Sequence, residues 1–349
     1  LTKTVGILGG GQLGRMLAVA ASRLGIKTHI FEPLPDPPAG DTATKIFSAS
    51  YEDNGALVAF AKSVDVITYE FENIPTKALD ALEKIKPVFP QRIALATSQD
   101  RLVEKQFLES IGLYVAPYAP VDTLEQLEEA LETLGTPCIL KTRRFGYDGK
   151  GQIRIETPGQ AKTAFSALDG QSAVLEKFVR FEREISVIAA RSTSGEITCF
   201  DPGENVHING ILHTTTVPAA LPNHMQTDAV LLAAKILNAL DYVGVMGVEL
   251  FVGKNGLLVN EIAPRVHNSG HWTQNACLID QFEQHIRAIF GLPLGNGQRH
   301  SDAIMTNLIG DDINHLEKHD NFALHLYGKS EVKAGRKMGH IIQLSPKSS

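Results

Sequence analysis

The 349-residue chain has little cysteine, no surplus of positive charge and no long apolar run. Its three cysteines, Cys138, Cys199 and Cys277, are odd in number, far apart and in no Cys-x-x-Cys pair. That excludes a disulfide framework and a zinc cage, and it points to a reducing compartment where each is a small buried hydrophobe. The 33 lysines and arginines stand against 39 aspartates and glutamates, a formal charge of −6. Such a chain lacks the basic footprint of a nucleic-acid or anionic-membrane binder, although a local basic pocket can still take small anions. No apolar run approaches the ~18 residues of a membrane span, and Lys3–Leu8 shows no signal-peptide pattern. The expected location is the cytoplasm. Internal repeats and low-complexity segments are absent too. What is present, 43% hydrophobic and 21% charged residues, is ordinary for a folded protein. The length suits two or three domains of about 100–200 residues each.

Along the chain, strand and helix signals alternate first. Val5–Leu8, Lys27–Phe31, Asp65–Tyr69 and Pro87–Phe89 read as strands, and Met16, Leu17, Val19, Ala20 and Leu24 recur at helical spacing. This alternation predicts a doubly wound parallel sheet. The middle reads as α+β, with strands at Cys138–Thr142, Ala173–Lys177, Arg183–Arg191, Val245–Val252 and Gly256–Ile262. Helices are expected at 100–112, 124–134, 160–168 and 227–240. The last fifty-odd residues, with strand-like Ala323–Tyr327 and Gly339–Leu344, read as a small appended unit.

Gly9-x-Gly11-x-x-Gly14 lies between a strand and a helix, and Glu32 ends the next strand. The pattern fits a dinucleotide fingerprint, but backbone N–H groups at a helix start suit any phosphate, or serve only a tight turn. A second signal is the pair of acids in Val248–Val252 and Leu257–Ile262. A three-residue loop, Lys254–Gly256, with Gly256 left-handed, pairs Gly253 with Leu257 and sets Glu249 opposite Glu261. Their Cβ atoms would then be about 4.5–5.5 Å apart on one face. Two such carboxylates in an apolar sheet need neutralising, and Mg²⁺ binds one or two carboxylates plus phosphate oxygens. A solvated face beside Lys254 is the plainer alternative. The continuation, Asn260 to Trp272, adds Arg265, His267 and His271, donors suited to a small oxyanion.

Lys141 sits in an apolar strand, where it needs an anion. Gly146, Gly149 and Gly151, with Lys150, form a loop able to approach phosphates, or an exposed hairpin turn. Glu176–Val179 offers main-chain groups to an adenine edge, Glu184 can accept from ribose hydroxyls, and Arg101 joins Lys141 on phosphates.

In order, Arg101, Lys141, Gly146–Gln152, Glu176–Val179, Glu184, Glu249 and Asn260-Glu261 resemble the ATP-grasp carboxylate–amine ligases. Gly9–Met16, Thr68–Glu72, Phe145–Gln152, Asn260–Arg265, His267–His271 and Gly335–His340 are more closely similar to the 5-(carboxyamino)imidazole ribonucleotide synthase family. The likeness spans nearly the whole chain. Val266 stands where that family carries proline, and Ala263 where many ATP-grasp enzymes place an asparagine metal ligand. Weight therefore falls on Glu249 and Glu261 as the metal set.

The resemblance implies a doubly wound α/β N-terminal domain (1–95), a central ATP-grasp domain with a mobile lid (96–292) and a small C-terminal domain (293–349). It implies ATP- and bicarbonate-dependent carboxylation of the exocyclic amine of 5-aminoimidazole ribonucleotide through carboxyphosphate, in purine biosynthesis. By that likeness Arg101, Lys141, Gly146, Tyr147, Asp148, Gly149, Lys150, Gly151, Gln152, Glu176, Lys177, Phe178, Val179, Glu184, His207, Asn260 and Glu261 hold ATP. Glu249 and Glu261 hold Mg²⁺, and Arg265, His267 and Asn268 surround bicarbonate or carboxyphosphate. Gly11, Gln12, Leu13, Glu70, Tyr147 and Asp148 contact the ribonucleotide, with Lys329 and Arg336 on its phosphate. A homodimer is implied, without nucleic-acid or membrane partners. Another ATP-grasp carboxylase or ligase explains the ATP half equally well. An NAD-dependent oxidoreductase explains only the first glycine loop and Glu32, and a silent nucleotide-binding module would leave the acid pair idle.

Overall fold

The computed structural model describes residues 2–146, 151–254 and 256–348. Its N-terminal part is a parallel sheet ordered Lys45–Phe47, Lys27–Phe31, Thr4–Leu8, Val66–Tyr69. Val5, Ile7, Ile30, Ile67 and Tyr69 are buried, as expected of parallel strands covered on both faces. Pro87–Phe89 contributes only a bridge, Val88 to Ile67, at this sheet's edge. Lys45–Phe47 carries too short a pattern to stand out in the sequence. Helix Gln12–Arg23 buries Met16, Leu17, Ala20 and Ala21.

A second sheet is antiparallel, ordered Tyr118–Val121, Ala173–Lys177, Cys138–Thr142, Gln152–Ile155. Side chains alternate between its faces. Cys138, Leu140, Ala173 and Leu175 pack on Leu127 and Leu131 of helix Leu124–Leu134. The intervening residues Ile139, Lys141 and Glu176 are thereby turned the other way, and Ile139 pairs with Glu176.

The third sheet has nine strands and the order Gly256–Ala263, Gly244–Gly253, Arg183–Arg191, Gly203–Ile208, Ile211–Val217, Ser301–Ile309, Lys337–Pro346, Phe322–Leu326, with Ile197–Cys199 alongside Arg183–Arg191. Helix Asn223–Ala239 covers one face through Ala229, Ala233 and Ile236, against Ile185, Val187 and Ala189. Helix Gln281–Phe290 covers the other through Phe282 and Ile286, against Ile188 and Ala190. The C-terminal strands are more than an appendage. Thr214 to Val217 pair with Thr306 to Ala303, so those strands continue the central sheet. Arg23 binds Asp280 and Glu283 at the start of Gln281–Phe290, tying the N-terminal part to the same helix. Among the described residues no helix is long and apolar enough to cross a membrane.

Candidate active site

The three sheets converge on one cavity of about 650 Å³. At one end lies a cluster of buried charge. Lys141 donates to Glu176 at 2.9 Å, and Lys105 faces the other Glu176 oxygen at 3.3 Å. Burial pulls the Lys141 ammonium below its usual value. For Glu176 burial acts upward, but Lys141 and Lys105 outweigh it and hold the carboxyl low. Arg101, Glu104 and Lys105 share one face of helix Arg101–Ser110 because they are three and four residues apart. Arg101 reaches Glu261 at 3.2 Å, and Glu104 accepts from the Ile262 N–H at 2.5 Å. Burial, then Glu261, pushes the Glu104 carboxyl up to about 8.

Glu249 pairs with Glu261, but by another route than the expected turn. Gly253 pairs with Gly256, leaving a two-residue connection, and Leu250 pairs with Val259. That register alone would set Glu249 opposite Asn260. A bulge between the Leu250 and Glu249 pairs inserts Asn260 and brings Glu261 back opposite Glu249. Asn255 lies outside the described residues. Burial, then Glu261, raises Glu249 to about 7, with Asn260 and His207 opposing. Glu261 itself is held low, since Arg101 and Lys141 override the upward push of burial. His207 meets Glu184 at 2.5 Å, and this bond overcomes burial to raise the imidazole's pKa. Among the described residues no group of three or more His, Cys, Asp or Glu could hold a metal by itself.

The segment after Glu261 bends over this acid pair. Arg265 binds Glu72, and His267 Nε2 lies 3.5 Å from Glu249. The Ser269 N–H donates to His267 Nδ1 at 3.4 Å, and the Ser269 hydroxyl, which accepts from Ser186 at 2.7 Å, stands 2.8 Å from the same nitrogen. That leaves the His267 proton on Nε2, facing the cavity. Burial, then Arg265, holds this imidazole well below its usual value, hence neutral. A Cβ on Gly247 would stand 2.7 Å from the His267 Cβ, so only glycine there admits the histidine. The Asn268 amide is paired with Asn307, at 2.9 and 2.8 Å.

At the far end the glycine loop meets two carboxylates. Glu70 accepts from Gly11 N–H and, at 2.6 Å, from Gly14 N–H, while Glu32 accepts from Gly10 N–H at 2.8 Å. The anion-accepting helix start is therefore filled by the chain's own acids, which disfavours a dinucleotide pyrophosphate there. A Cβ on Gly11 would lie 2.6 Å from Glu70. Lys329 donates to Gln12 and to the Lys337 carbonyl, both at 2.6 Å.

The cavity brings together Arg101, Lys141, Gly146, Gln152, Glu184, His207, Glu249, Asn260, Glu261, Arg265, His267 and Asn268 with Gly11, Gln12, Leu13, Glu70 and Lys329. Glu176 stands behind Lys141. Lys177 and Phe178 donate their N–H groups to the Pro117 and Pro137 carbonyls, so two of the main-chain donors expected of this segment are already used. Gly151 accepts from the Thr142 N–H. Arg336 is not among the lining residues and donates to the Glu331 carbonyl, whereas Lys337 lines the cavity. Tyr147, Asp148, Gly149 and Lys150 lie outside the described residues. Sequence reasoning passed over Lys105, Glu104, Glu72, Phe181, Phe251 and Lys337. Helical spacing from Arg101 could have found Glu104 and Lys105. Glu72 ends the quoted segment Thr68–Glu72, but nothing local marks its partner, Arg265, far along the chain. Phe181 and Phe251 stack at 4.6 Å on the cavity wall.

Comparison with known proteins matches the ribonucleotide synthetase preATP-grasp domain to residues 2–99, the ATP-grasp domain to 106–282, and the phosphoribosylaminoimidazole carboxylase C-terminal domain to 303–349. The N5-carboxyaminoimidazole ribonucleotide synthase of Brucella melitensis is 55% identical over 351 residues, covering 99% of this chain and 97% of that protein. A solved N5-carboxyaminoimidazole ribonucleotide synthetase with ADP is 43% identical, with TM-score 0.95 over 98% of this chain and 92% of that one. The Aspergillus clavatus enzyme, solved with ADP and 5-aminoimidazole ribonucleotide, is 32% identical, with TM-score 0.93 over 99% and 94%.

Proposed function

The chain belongs to the N5-carboxyaminoimidazole ribonucleotide synthases, and from that premise we propose how its cavity works. The reaction is the ATP-dependent carboxylation of 5-aminoimidazole ribonucleotide on its exocyclic amine, in purine biosynthesis. Bicarbonate is the carbon source: its oxygen attacks the γ-phosphorus of ATP and expels ADP, and the amine then takes the carboxyl group as phosphate leaves. Phosphorylation gives a poor electrophile a leaving group, and the protein contributes positioning and charge neutralisation.

The observation that carries this reading is the facing Glu249–Glu261 pair, half-buried in the cavity wall, with Arg101 and Lys141 on one side and Arg265 and His267 on the other. Lys141, Arg101 and Gln152 take the phosphates, with Gly146 and Gly151 at the loop. Glu176 to Val179 frame the adenine, while Glu184 and His207 take the ribose. A carboxyl raised to about 7 by burial and a facing acid is a site short of positive charge, which fits a divalent cation. Glu249 and Glu261 would hold Mg²⁺, with Asn260 beside them, and the ion would neutralise β- and γ-phosphate charge. Neutral His267 donates from Nε2, and Arg265 supplies fixed positive charge, to bicarbonate and to the carboxyphosphate oxygens. Asn268 is braced beside them. Glu70, with Gly11, Gln12 and Leu13, faces the ribonucleotide, and Lys329 takes its phosphate, while Arg336 stands off the cavity wall.

The domain limits proposed are 1–95, 96–292 and 293–349, and the proposed location is the cytoplasm. We also propose a homodimer, since exposed Val206, Ile304, Leu324 and Leu326 lie on strands of the central sheet; sedimentation at equilibrium tests it. The reaction is tested by ADP release with bicarbonate, with and without 5-aminoimidazole ribonucleotide. Stimulation by the ribonucleotide is expected. Its absence rejects this substrate, and NADH oxidation would instead favour a dehydrogenase.

A further inference from the structure

The residues from Arg265 to Trp272 belong to no strand and form only a short 3₁₀ turn at Asn268–Gly270. Their placement over the acid pair therefore depends on side chains from elsewhere. Gln281, fully buried at the start of helix Gln281–Phe290, makes three bonds to this segment. Its Oε1 accepts from the His267 N–H at 2.9 Å, and its Nε2 donates to the His267 carbonyl at 2.7 Å. The same Nε2 lies 2.9 Å from His271 Nδ1. Because Oε1 must accept from a backbone N–H, the amide orientation is settled, and Nε2 is the donor to both other atoms. His271 thus accepts at Nδ1 and carries its proton on Nε2.

Gln281 is itself held from behind. Its N–H donates to Thr273 Oγ1 at 3.1 Å, and that hydroxyl donates to the Gly270 carbonyl at 2.7 Å. Any Cβ at Gly270 would come within 2.7 Å of Gln281 Oε1. His271, also fully buried, packs against Phe282 and against His340, ring centres 5.4 and 4.8 Å away. His340 in turn meets the Tyr327 hydroxyl at 2.9 Å, two residues before Lys329. A carboxamide alone among side chains of this length can accept from one backbone group while donating to a carbonyl and an imidazole.

We propose that Gln281 is the positioning residue for bicarbonate use: it grips both backbone polar groups of His267 and so aims the His267 Nε2–H into the cavity. His271, anchored on the C-terminal strands, keeps the Gln281 amide from turning. This rests on the reading of His267 as a bicarbonate-facing donor. Gln281 touches no substrate, and a displacement of about 1 Å at a reacting group can cost on the order of a hundredfold in rate.

The test uses the full chain with Gln281→Met, which keeps the volume and loses all three bonds. Steady-state constants are measured for bicarbonate in CO₂-depleted buffer, and for ATP and the ribonucleotide. The KM for bicarbonate should rise about tenfold or more and kcat should fall by up to about a hundredfold, with the ATP KM unchanged. A KM does not depend on how much of the sample is folded, so a purely structural fault lowers turnover alone. That result, or a common shift of all three KM values, overturns the proposal. Where the methionine variant does not fold, Gln281→Glu gives the same readout, since it keeps the acceptor and can make at most one of the two donated bonds. His267→Asn separates the two levels. If it leaves bicarbonate dependence untouched, the reading of His267 fails; if it raises that KM and the Gln281 variants do not, only the positioning role falls.

Discussion

Replacing Glu176 by glutamine probes whether the buried charges at the nucleotide end form a balanced set. The carboxylate accepts from Lys141 at 2.9 Å and faces Lys105 at 3.3 Å, and none of the three side chains is more than 8% exposed. Glutamine keeps the shape but leaves two buried ammonium groups without their counter-ion. Removing one partner of a buried pair costs about 3–5 kcal/mol, because uncompensated charge stays behind. The lower end applies here. Burial already depresses the Lys141 pKa, so this lysine sheds its proton rather than bear the whole penalty. About 3 kcal/mol lowers the melting temperature of a chain this long by on the order of 4 °C. A triphosphate restores the missing negative charge, so ATP with Mg²⁺ should raise the variant's melting temperature more than the parent's. Folding holds the Glu176 carboxyl below 4.5. Its contribution is therefore present above that pH and lost as the pH falls through the lower folded value, so the variant's deficit shrinks in acid. Thermal unfolding at neutral pH, with and without nucleotide, reads all of this. An unliganded shift under about 2 °C, or equal nucleotide-induced rises in both proteins, refutes the argument.

Other perturbations bear on the acid pair and the segment above it. Glu261→Gln should cut ADP release by at least about a hundredfold while the chain stays folded, and near-normal turnover would contradict its metal role. Glu249 and Glu104 are raised to about 7 and about 8, burial being the main cause and Glu261 the next. Carboxyls raised on folding contribute stability that is full below about pH 4.5 and lost as the pH passes 7 to 8. The unliganded melting temperature should therefore fall from about pH 6 to about pH 8.5, and nucleotide with Mg²⁺ should release protons, measurable by calorimetry in buffers of differing ionisation heat. A rise over that interval would sink the assignment. Gly247→Ala puts a methyl 2.7 Å from the His267 Cβ. It should cost about 1–3 kcal/mol of stability and most of the turnover, whereas unchanged kinetics would show that His267 has room to move.

Much of the fold was legible because its signals are local. Cys138–Thr142, Ala173–Lys177 and Arg183–Arg191 match their apolar patterns residue for residue, and Asp100 caps the helix expected after it. The facing of Glu249 and Glu261 was also anticipated, but from a turn that does not form. The bulge at Asn260 restores the register that the two-residue connection breaks, and no residue type announces a bulge at an asparagine.

The sequence by itself determined many of the strands and helices, because periodicity and capping act over a few residues, although it passed over Gly203–Ile208, Ile211–Val217, Ser301–Ile309 and Gln281–Phe290. It also determined that Lys141, Glu249 and Glu261 fall in apolar strands, where each requires a partner. Only the tertiary structure decided who those partners are. Lys141 met Glu176, Arg265 met Glu72, and the glycine loop met Glu70 instead of a phosphate. It also decided that Lys337 rather than Arg336 lines the cavity, and that Gln281 grips His267. Such choices depend on distances between groups far apart along the chain, and a buried charge accepts whichever counter-charge the packing brings within reach.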